Sequence, residues 1–355
     1  MTVRVGHIGF LNCYPLYHGL EQRGIVGGPQ PLNVSGKPGT PGAPEILRPR
    51  GTPAIELLPG VPTELNRWLV EGNIDLGPIS SIAYARNHRR LLLSRRLSIS
   101  SQGAVDSIQL VSGKPLEEIA SVALTGQSAT AVALLKTILK LRFGQEVLYG
   151  ELTGSIPEAL RDYDAALLIG DQGLEALYFP QPQTTCHDLG ALWQGWTGLP
   201  MVYAVWAARE DFARTNGAEL MAVEEELVRC MDYGREHLDQ VVDSAVGRFR
   251  FDRASLTRYF EVLRYDFTEQ YRTGLRRFYE LAKEAGELEE VPELRFIDAV
   301  AGGAASGEAA GPPAAVGAAP GVAGTVDAPQ AAGAADEVAG VAGTARVAGP
   351  GEAAP

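Results

Sequence analysis

The sequence predicts an α/β protein with two lobes. Short apolar strands alternate with helical patterns from the N-terminus to about residue 207, which is typical of mainly parallel sheets flanked by helices. The chain from residue 299 onward contains no aromatic residue and consists mostly of Ala, Gly, Val and Pro. Chains longer than roughly 250–300 residues usually form more than one hydrophobic core. The part of the chain before residue 299 is at this limit. We therefore expect two lobes, each with its own sheet.

The first part of the chain supplies the elements of the first lobe. Residues 3–10 alternate as a strand, and residues 15–20 begin a helix. Residues 27–54 are dense in Gly and Pro and show no periodicity, which indicates a flexible surface insertion. Thr63 is the expected N-cap of a helix that stops at Gly72, and residues 74–77 follow as a short buried strand.

The pattern repeats in the middle of the chain. Residues 121–124 are predicted to form a strand, and the helix after them ends at Gly144. Ser155 and Glu158 have the spacing of a capping box, and the apolar run "DAALLIGD" behind them predicts a fully buried strand. Residues 201–207 are predicted to form one more strand. After it only helices are expected, at residues 218–238, 255–264 and 268–285.

This distribution predicts a chain that crosses between the lobes twice. We expect the chain to enter the second lobe near residues 103–107 and to return near Met201. The tail cannot bury enough apolar surface to offset its ordering entropy, and we expect it to be disordered. The predicted organisation is residues 1–103 and 204–298 for the first lobe with the insertion 27–54, residues 104–203 for the second lobe, and residues 299–355 for the tail.

Charge, cysteine spacing and motifs exclude several partners. The formal net charge is −12 and no long Lys/Arg run occurs, so nucleic acid is not an expected partner. No window approaches the ~18 apolar residues of a spanning helix, so we expect no membrane partner. The three cysteines lie far apart, and no nucleotide- or metal-binding motif is present, so we expect no metal and no cofactor. The N-terminus shows no signal-peptide pattern, which predicts a cytoplasmic protein.

Polar residues follow four of the predicted strands. Ligands of open parallel sheets bind at the carboxyl ends of the strands, where helix N-terminal amides favour carboxylate or phosphate. The four turns contain no Lys or Arg, so an anion there would be held by neutral donors. The candidate site residues are Asn12, Ser80, Ser81, Thr125, Gly126, Ser128, Thr130, Gly170 and Asp171.

Each of these residues also has a purely structural interpretation. Ser80, Ser81 and Ser128 can serve as helix N-caps, and Asp171 can cap a short helix. Asn12 can be a turn residue that tolerates unusual backbone angles. The residues alone leave both interpretations open, although their coincidence at successive strand ends favours a binding site.

Six segments resemble the chorismate dehydratase family, which catalyses the first step of the futalosine route to menaquinone. They occur in the family's order between Val3 and about Phe296, and they include all four turns. The insertion and the tail lie outside these segments, and Phe10 stands where the family usually has Tyr. The segments are "IGFLNCYPLYHGL", "GVPTELNRWLVEGNIDLGPISSIAYARN", "SISSQGAVDSIQLVS", "ALTGQSATAVALLKTIL", "ALLIGDQGL" and "DLGALWQGWTGLPMVYAVWA".

The resemblance implies a periplasmic-binding-protein type II fold with the ligand between the lobes. It also implies that chorismate, a small dianion, loses water to give 3-[(1-carboxyvinyl)oxy]benzoate without metal or nucleotide. The family's active-site asparagine falls on Asn12, and its serine falls on Ser80 or Ser81. We expect Asn12 to bond the departing hydroxyl while the side-chain carboxylate of the substrate accepts the proton, with Asp171 as the other candidate base. The oligomeric state is expected to be monomer or homodimer.

Three other functions fit a fold of this kind. A solute-binding protein for a small carboxylate would need an export signal, which the N-terminus does not show. The related 1,4-dihydroxy-6-naphthoate synthase has a different opening motif. The effector-binding half of a transcription regulator would follow a helix-turn-helix segment, and none precedes Val3.

Overall fold

A computed structural model describes residues 1–24, 45–47, 51 and 53–301. The described strands are β1 (Thr2–Ile8), β2 (Glu45–Leu47), β3 (Ala54–Gly60), β4 (Leu76–Ser80), β5 (Leu91–Ser101), β6 (Ile108–Ser112), β7 (Ser121–Leu124), β8 (Leu148–Glu151), β9 (Ala165–Ile169), β10 (Thr185–Asp188), β11 (Met201–Arg209) and β12 (Leu263–Asp266).

The helices connect these strands and cover the sheets. A 3₁₀ turn, Leu11–Cys13, precedes the first helix, and a π-helical turn, Ile138–Arg142, continues the fourth. The described helices are α1 (Tyr14–Gln22), α2 (Pro62–Glu71), α3 (Ser81–Asn87), α4 (Ala129–Thr137), α5 (Ile156–Asp162), α6 (Gly170–Tyr178), α7 (Leu189–Thr197), α8 (Glu210–Thr215), α9 (Gly217–Glu236), α10 (Leu238–Ala245), α11 (Arg253–Val262), α12 (Glu269–Ala285) and α13 (Ile297–Ala301).

Two sheets form the framework. Sheet A has the strand order β12-β5-β11-β4-β1-β3-β2, and sheet B has the order β10-β6-β9-β7-β8. In sheet A, β1 runs parallel to β3 and β4, and in sheet B, β7 runs parallel to β8 and β9. Strands β4, β6 and β9 are buried along their whole length, as expected for strands covered on both faces.

The chain crosses between the sheets at two adjacent places. It leaves sheet A after β5 and returns at the start of β11, where Met201 pairs with Ser101. The crossing points therefore lie side by side. The assignment of residues 1–103 and 204–298 to one lobe and of 104–203 to the other stays a prediction.

The sheets differ from the prediction in strand direction. Each was expected to be mainly parallel, but both are mixed, because β11 runs antiparallel to β4 and β5, β12 to β5, β2 to β3, and β6 to β9 and β10. The direction of β11 follows from the crossing. Strand β11 begins beside the last residue of β5 and then extends along it, so it runs in the opposite direction.

Seven of the twelve described strands were not predicted from the sequence, namely β2, β3, β5, β6, β8, β10 and β12. Strand β2 lies within the predicted insertion and pairs with β3. Strand β3 begins at Ala54, the last residue of the predicted insertion, and pairs with the whole of β1. The remaining residues of the insertion, apart from Gly51 and Pro53, lie outside the described part of the chain. Strand β12 follows α11 at Leu263, so the expectation that only helices follow residue 207 is wrong.

Two helix ends also differ from the prediction. Helix α2 begins at Pro62 with Val61 as its N-cap, so Thr63 lies in the first turn rather than at the cap. Proline is favoured in the first turn because it has no amide hydrogen to satisfy there. Helix α13 includes the first residues of the predicted tail, Ala299–Ala301, and the rest of the tail lies outside the described residues.

Other predicted signals are confirmed. Strand β7 has the predicted bounds, and Gly72 and Gly144 adopt the left-handed conformation after their helices. Ser155 and Glu158 form the predicted capping box, in which the Ser155 amide donates to the Glu158 carboxylate over 2.7 Å.

Close packing of α1 against α9 holds the turn after β1 in place. A Cβ atom on Gly19 of α1 would collide with the backbone carbonyl of Cys230 in α9, so no larger residue fits at this crossing. Cys13, at the end of the turn, is buried in the same core as Leu20 of α1. The first turn of the predicted site is thus followed by a helix that packs closely against α9.

Candidate functional site

The four predicted turns lie at the carboxyl ends of two pairs of neighbouring parallel strands. In sheet A, β1 and β4 end at the turns that contain Asn12 and Ser80, and in sheet B, β7 and β9 end at Thr125 and Gly170. Parallel strands end at the same edge of a sheet, so each sheet presents two turns together. Hydrogen bonds between the turns of the two sheets show that these edges face each other.

The first of these contacts joins the turns after β1 and β9. The amide of Leu11 donates to the carboxylate of Asp171 over 3.2 Å. Beside this bond, the ring of Phe10 lies against Gly170, whose φ angle is +58° and whose missing Cβ atom would stand 3.1 Å from the ring. Glycine is favoured in this conformation, and here it also allows the two turns to approach.

The second contact joins the turns after β4 and β7. Thr130 Oγ1 accepts a hydrogen bond from the Ile82 amide at 3.2 Å and lies 3.2 Å from Ser81 Oγ. Ser81 Oγ donates to the carbonyl of Val202, at the start of β11, over 2.8 Å. Because Thr130 and Ser81 are fully buried, this contact is part of the junction between the sheets.

Asn12 has a fixed backbone and an unpaired side chain. Its carbonyl accepts a 2.9 Å bond from the hydroxyl of Tyr265, and the Cys13 amide donates to Phe10 within the turn. The side-chain Oδ1 atom is buried and has no hydrogen-bond partner among the described residues. A buried acceptor without a partner costs about 1–3 kcal/mol, and this oxygen is able to accept a hydrogen bond from a ligand.

The two serines after β4 differ in what their hydroxyl groups do. Ser81 is committed to Val202 and Thr130, as described above. Ser80 is the N-cap residue of α3, yet its side chain makes no bond to that helix. Instead, Asn66 of α2 donates to Ser80 Oγ over 3.2 Å and accepts from the Ser80 amide over 2.8 Å. The simple capping interpretation therefore does not describe either serine.

The turn after β7 contains both structural and available groups. Ser128 Oγ accepts from the Ala131 amide at 3.2 Å, so this serine is the N-cap of α4. Thr125 is buried, and its Oγ1 accepts from the Gln127 amide, which leaves its hydroxyl proton to donate. Gly126 is exposed and has no atom near its Cβ position.

Asp171 lies in the first turn of α6 and is not its N-cap, because that position belongs to Ile169. Burial raises the pKa of its carboxyl group to about 6. The hydrogen bond from the Leu11 amide lowers this pKa, and the nearby carboxylate of Glu175 raises it further. A carboxylate with such a pKa is ionised at neutral pH and basic enough to accept a proton.

Several residues of this region were not predicted from the sequence. Besides Asn66 they include Tyr265 of β12 and Tyr259 of α11, which is buried and whose hydroxyl has no hydrogen-bond partner among the described residues. Burial raises the pKa of Tyr259 well above its usual range, and Asp171 and Cys13 lie close enough to add to this. No local pattern identifies these residues, since they come from elements distant in sequence from the four turns.

An arginine-lined cavity of about 290 Å³ lies elsewhere, between β5, α9 and β12. It contains Arg95, Arg96, Arg235 and Arg272. Each is paired with carboxylates, as in the bonds of Arg95 to Asp298 and of Arg235 to Asp266. These arginines are therefore poorly placed to bind a second anion, in contrast to the unpaired amide of Asn12.

Neither a metal site nor a membrane span is found in the described part of the chain. No group of three or more His, Cys, Asp or Glu side chains there is arranged to hold a metal ion. No described helix is both long and apolar enough to cross a bilayer.

Comparison with known proteins identifies relatives over most of the chain. A family model described as "Menaquinone biosynthesis" matches residues 3–284. A chorismate dehydratase of Thermus thermophilus is 34% identical over 240 residues, which cover 64% of this chain and 86% of that protein. A 1,4-dihydroxy-6-naphtoate synthase of the same organism is 26% identical over 247 residues, which cover 66% of this chain and 85% of that protein.

The fold also has solved counterparts. The CA3427 gene product of Candida albicans, described as exhibiting the generic periplasmic binding protein structural fold, matches with a TM-score of 0.56 at 11% identity. The match covers 83% of this chain and 93% of that one. At this identity the likeness concerns the fold alone, and it confirms the expected periplasmic-binding-protein fold.

Proposed function

The chain belongs to the menaquinone-biosynthesis family, and from that premise we propose that it is an enzyme that dehydrates chorismate to 3-[(1-carboxyvinyl)oxy]benzoate. The match to the family and the 34% identity to a chorismate dehydratase confirm the resemblance in the sequence motifs. The naphthoate synthase is the second candidate, and its lower identity of 26% makes it the weaker one.

The observation that carries the proposal is the unpaired amide of Asn12 between the two sheet edges. Its Oδ1 atom is buried without a partner, while its backbone is held by Tyr265. An amide offers one acceptor and two donor hydrogens, so it can bond the ring hydroxyl of chorismate and follow it as it leaves. Asn12 is therefore the proposed catalytic residue.

The reaction breaks two bonds of the substrate ring. The C–H bond at the carbon that carries the enolpyruvyl ether breaks, and so does the C–O bond of the neighbouring hydroxyl. The proton and the hydroxide leave together as water, and the remaining electron pair completes an aromatic ring. Because aromaticity favours the product, the protein's task is to hold one ring conformer and to exclude water.

The proton acceptor in this proposal is the side-chain carboxylate of the substrate. The alternative base in the four turns is Asp171, whose raised pKa suits the task. One of its oxygens is already bonded to the Leu11 amide, and this bond holds the two turns together. Asp171 is thus placed to shape the site, and its exchange for Asn distinguishes the two roles.

Neutral donors bind the substrate's two carboxylates. Ser80 and Thr125 each have a hydroxyl proton that is not used for capping, and Thr130, Gly126 and Gly170 shape the contacts around them. Hydroxyl groups that donate to a carboxylate form short, charge-assisted bonds. Ser81 and Ser128 serve this site indirectly, by fixing the junction of the sheets and the start of α4.

The cellular setting remains part of the proposal. A biosynthetic enzyme that acts on a small dianion is expected in the cytoplasm, with no nucleic acid or membrane as partner and no metal or other cofactor. We keep the expectation of a monomer or a homodimer.

The test is to incubate the purified protein with chorismate and to identify the product by mass and by its aromatic proton resonances. The proposal expects a product one water lighter than chorismate with a disubstituted benzoate ring. Unchanged chorismate, or a rearranged isomer that retains the hydroxyl group, contradicts the proposal. Conversion of a naphthoate-pathway substrate instead would favour the second candidate.

A further inference from the structure

We propose that Asn66 is a positioning residue that directs the hydroxyl proton of Ser80 towards a carboxylate of the bound substrate. This inference rests on the proposed function and adds a residue that the sequence motifs did not single out. It begins from an unusual use of the serine at the start of α3.

Ser80 stands at an N-cap but does not cap its helix. Its side chain makes no bond to the first turn of α3. The Ile82 amide, which such a cap would be expected to satisfy, donates instead to Thr130 Oγ1 from the turn after β7. The hydroxyl of Ser80 is thus released from the role that a serine at this position most often has.

Asn66 binds Ser80 through both ends of its amide group. The Ser80 backbone amide donates to Asn66 Oδ1 over 2.8 Å, and Asn66 Nδ2 donates to Ser80 Oγ over 3.2 Å. The first bond fixes the orientation of the side chain, because only the oxygen end can accept from a backbone amide. The nitrogen end must then face the serine hydroxyl.

This arrangement determines the direction in which Ser80 can donate. An amide nitrogen cannot accept a hydrogen bond, so the Ser80 hydroxyl cannot donate to Asn66 Nδ2. No hydrogen bond in the described part of the chain uses that proton. The neighbouring Ser81 differs, because it donates to Val202.

A carboxylate is the ligand group that suits a buried donor of this kind. Ser80 ends β4 beside the end of β1, where the unpaired amide of Asn12 lies. The four turns contain no Lys or Arg to balance a substrate dianion, so each directed hydroxyl contributes more than it would beside a cation. A hydroxyl–carboxylate bond is charge-assisted and short.

The test is a double-mutant cycle with Asn66→Asp and Ser80→Ala. Asn66→Asp keeps the acceptor for the Ser80 amide but replaces the Nδ2 donor with a carboxylate oxygen, which attracts the Ser80 proton away from the substrate. We expect the KM and the calorimetric Kd for chorismate to rise about 10- to 100-fold, the range for a hydrogen bond to a charged group, with a smaller change in kcat. In the Ser80→Ala background the same exchange is expected to change KM by less than about threefold.

The added negative charge is controlled in two ways. Asn73→Asp adds the same charge just beyond the C-terminus of α2 and should leave KM unchanged. The Asn73 side chain bonds the exposed Glu71, and its backbone amide, which the exchange keeps, donates to Trp68. Simple repulsion of the substrate by a new carboxylate would persist in the Ser80→Ala background. An equal loss in both backgrounds therefore overturns the inference.

A second variant, Asn66→Ala, tests the inference if Asn66→Asp does not fold. Asn66→Ala leaves the Ser80 hydroxyl free to rotate, and we expect a rise in KM smaller than that of Asn66→Asp and again dependent on Ser80. Thermal unfolding of each variant shows whether it is folded. If the wild-type protein neither binds nor converts chorismate, the proposed function and this inference both fail. If it converts chorismate but the cycle is additive, only this inference fails.

Discussion

The backbone amide of Leu11 donates a hydrogen bond to the side chain of Asp171 over 3.2 Å, and this bond joins the carboxyl ends of β1 and β9. The two strands belong to different sheets, so the contact joins the edges of the two sheets beside the turn that contains Asn12. A buried carboxylate is costly in such a place, which makes the bond sensitive to pH.

Asp171→Asn should make the folded protein more stable at neutral pH. The pKa of Asp171 is raised to about 6, above its value in the unfolded chain, so the folded state binds the proton more tightly. Wild-type stability is therefore expected to fall as the pH rises from about 4 to 6 and to stay lower above that range. An amide avoids the cost of the buried charge and still accepts from Leu11, which should stabilise the protein by about 1–3 kcal/mol at pH 7.5.

Urea unfolding of both proteins between pH 4 and pH 8 checks this expectation. The difference between the two curves isolates the contribution of Asp171 from those of the other titrating groups. A stability difference that does not change with pH would show that the Asp171 carboxyl titrates as it does in the unfolded chain.

The same variant separates the two candidate bases. If the substrate's own carboxylate takes the proton, Asp171→Asn should keep kcat within about tenfold of the wild-type value, whereas loss of a general base costs about 10²–10⁴-fold. Steady-state kinetics with chorismate above pH 7 measures this directly. A loss beyond 10²-fold with normal substrate binding would assign the proton transfer to Asp171.

Asn12→Ala should remove most of the turnover and leave the fold intact. The variant loses the amide that bonds the departing hydroxyl, and removal of one such donor typically lowers kcat by about 10²–10³-fold. The backbone carbonyl that Tyr265 contacts is unchanged, so binding of the substrate's carboxylates should persist. Asn87→Ala, in which the lost bond is one to Ala83 within α3, is the matched control. Wild-type turnover in Asn12→Ala would rule out the role proposed for this residue.

Gly170→Ala should weaken the contact between the sheet edges. The residue has a φ angle of +58°, and a Cβ atom there would stand 3.1 Å from the Phe10 ring. The left-handed conformation alone costs about 1–2 kcal/mol for alanine. We expect a lower free energy of unfolding and a higher KM. Gly195→Ala in α7, where the new atom meets nothing within 4 Å, should instead leave KM unchanged and stabilise the protein slightly. Equal effects of the two exchanges would show that the Phe10 contact has no part in substrate binding.

The sequence predicted the local features of this fold better than the pairing of distant ones. Strand β7 and the Ser155 capping box follow from patterns within a few residues, and the structure has both. Strand β3 was missed because Gly and Pro precede it and obscure its short alternation. Strand β12 was missed because its four residues lie directly between two helical patterns.

The site shows the same limit. The four turns were predictable because ligand sites of parallel sheets lie at the strand ends. Asn66 was not predictable, because it reaches Ser80 only when α2 packs beside β4, and nothing in "PTELNRWL" distinguishes it from a solvated helix residue. The choice between Ser80 and Ser81 likewise depends on Val202 and Thr130, which are distant in sequence.

The most direct measurement of the central claim is a crystal structure of the protein with 3-[(1-carboxyvinyl)oxy]benzoate bound. The account predicts the ligand between the turns after β1, β4, β7 and β9, with Asn12 Nδ2 or Oδ1 beside the carbon that lost its hydroxyl and Ser80 Oγ within hydrogen-bond distance of a carboxylate. A ligand bound elsewhere, for example in the cavity lined by Arg95, Arg235 and Arg272, with these four turns unoccupied, would contradict it.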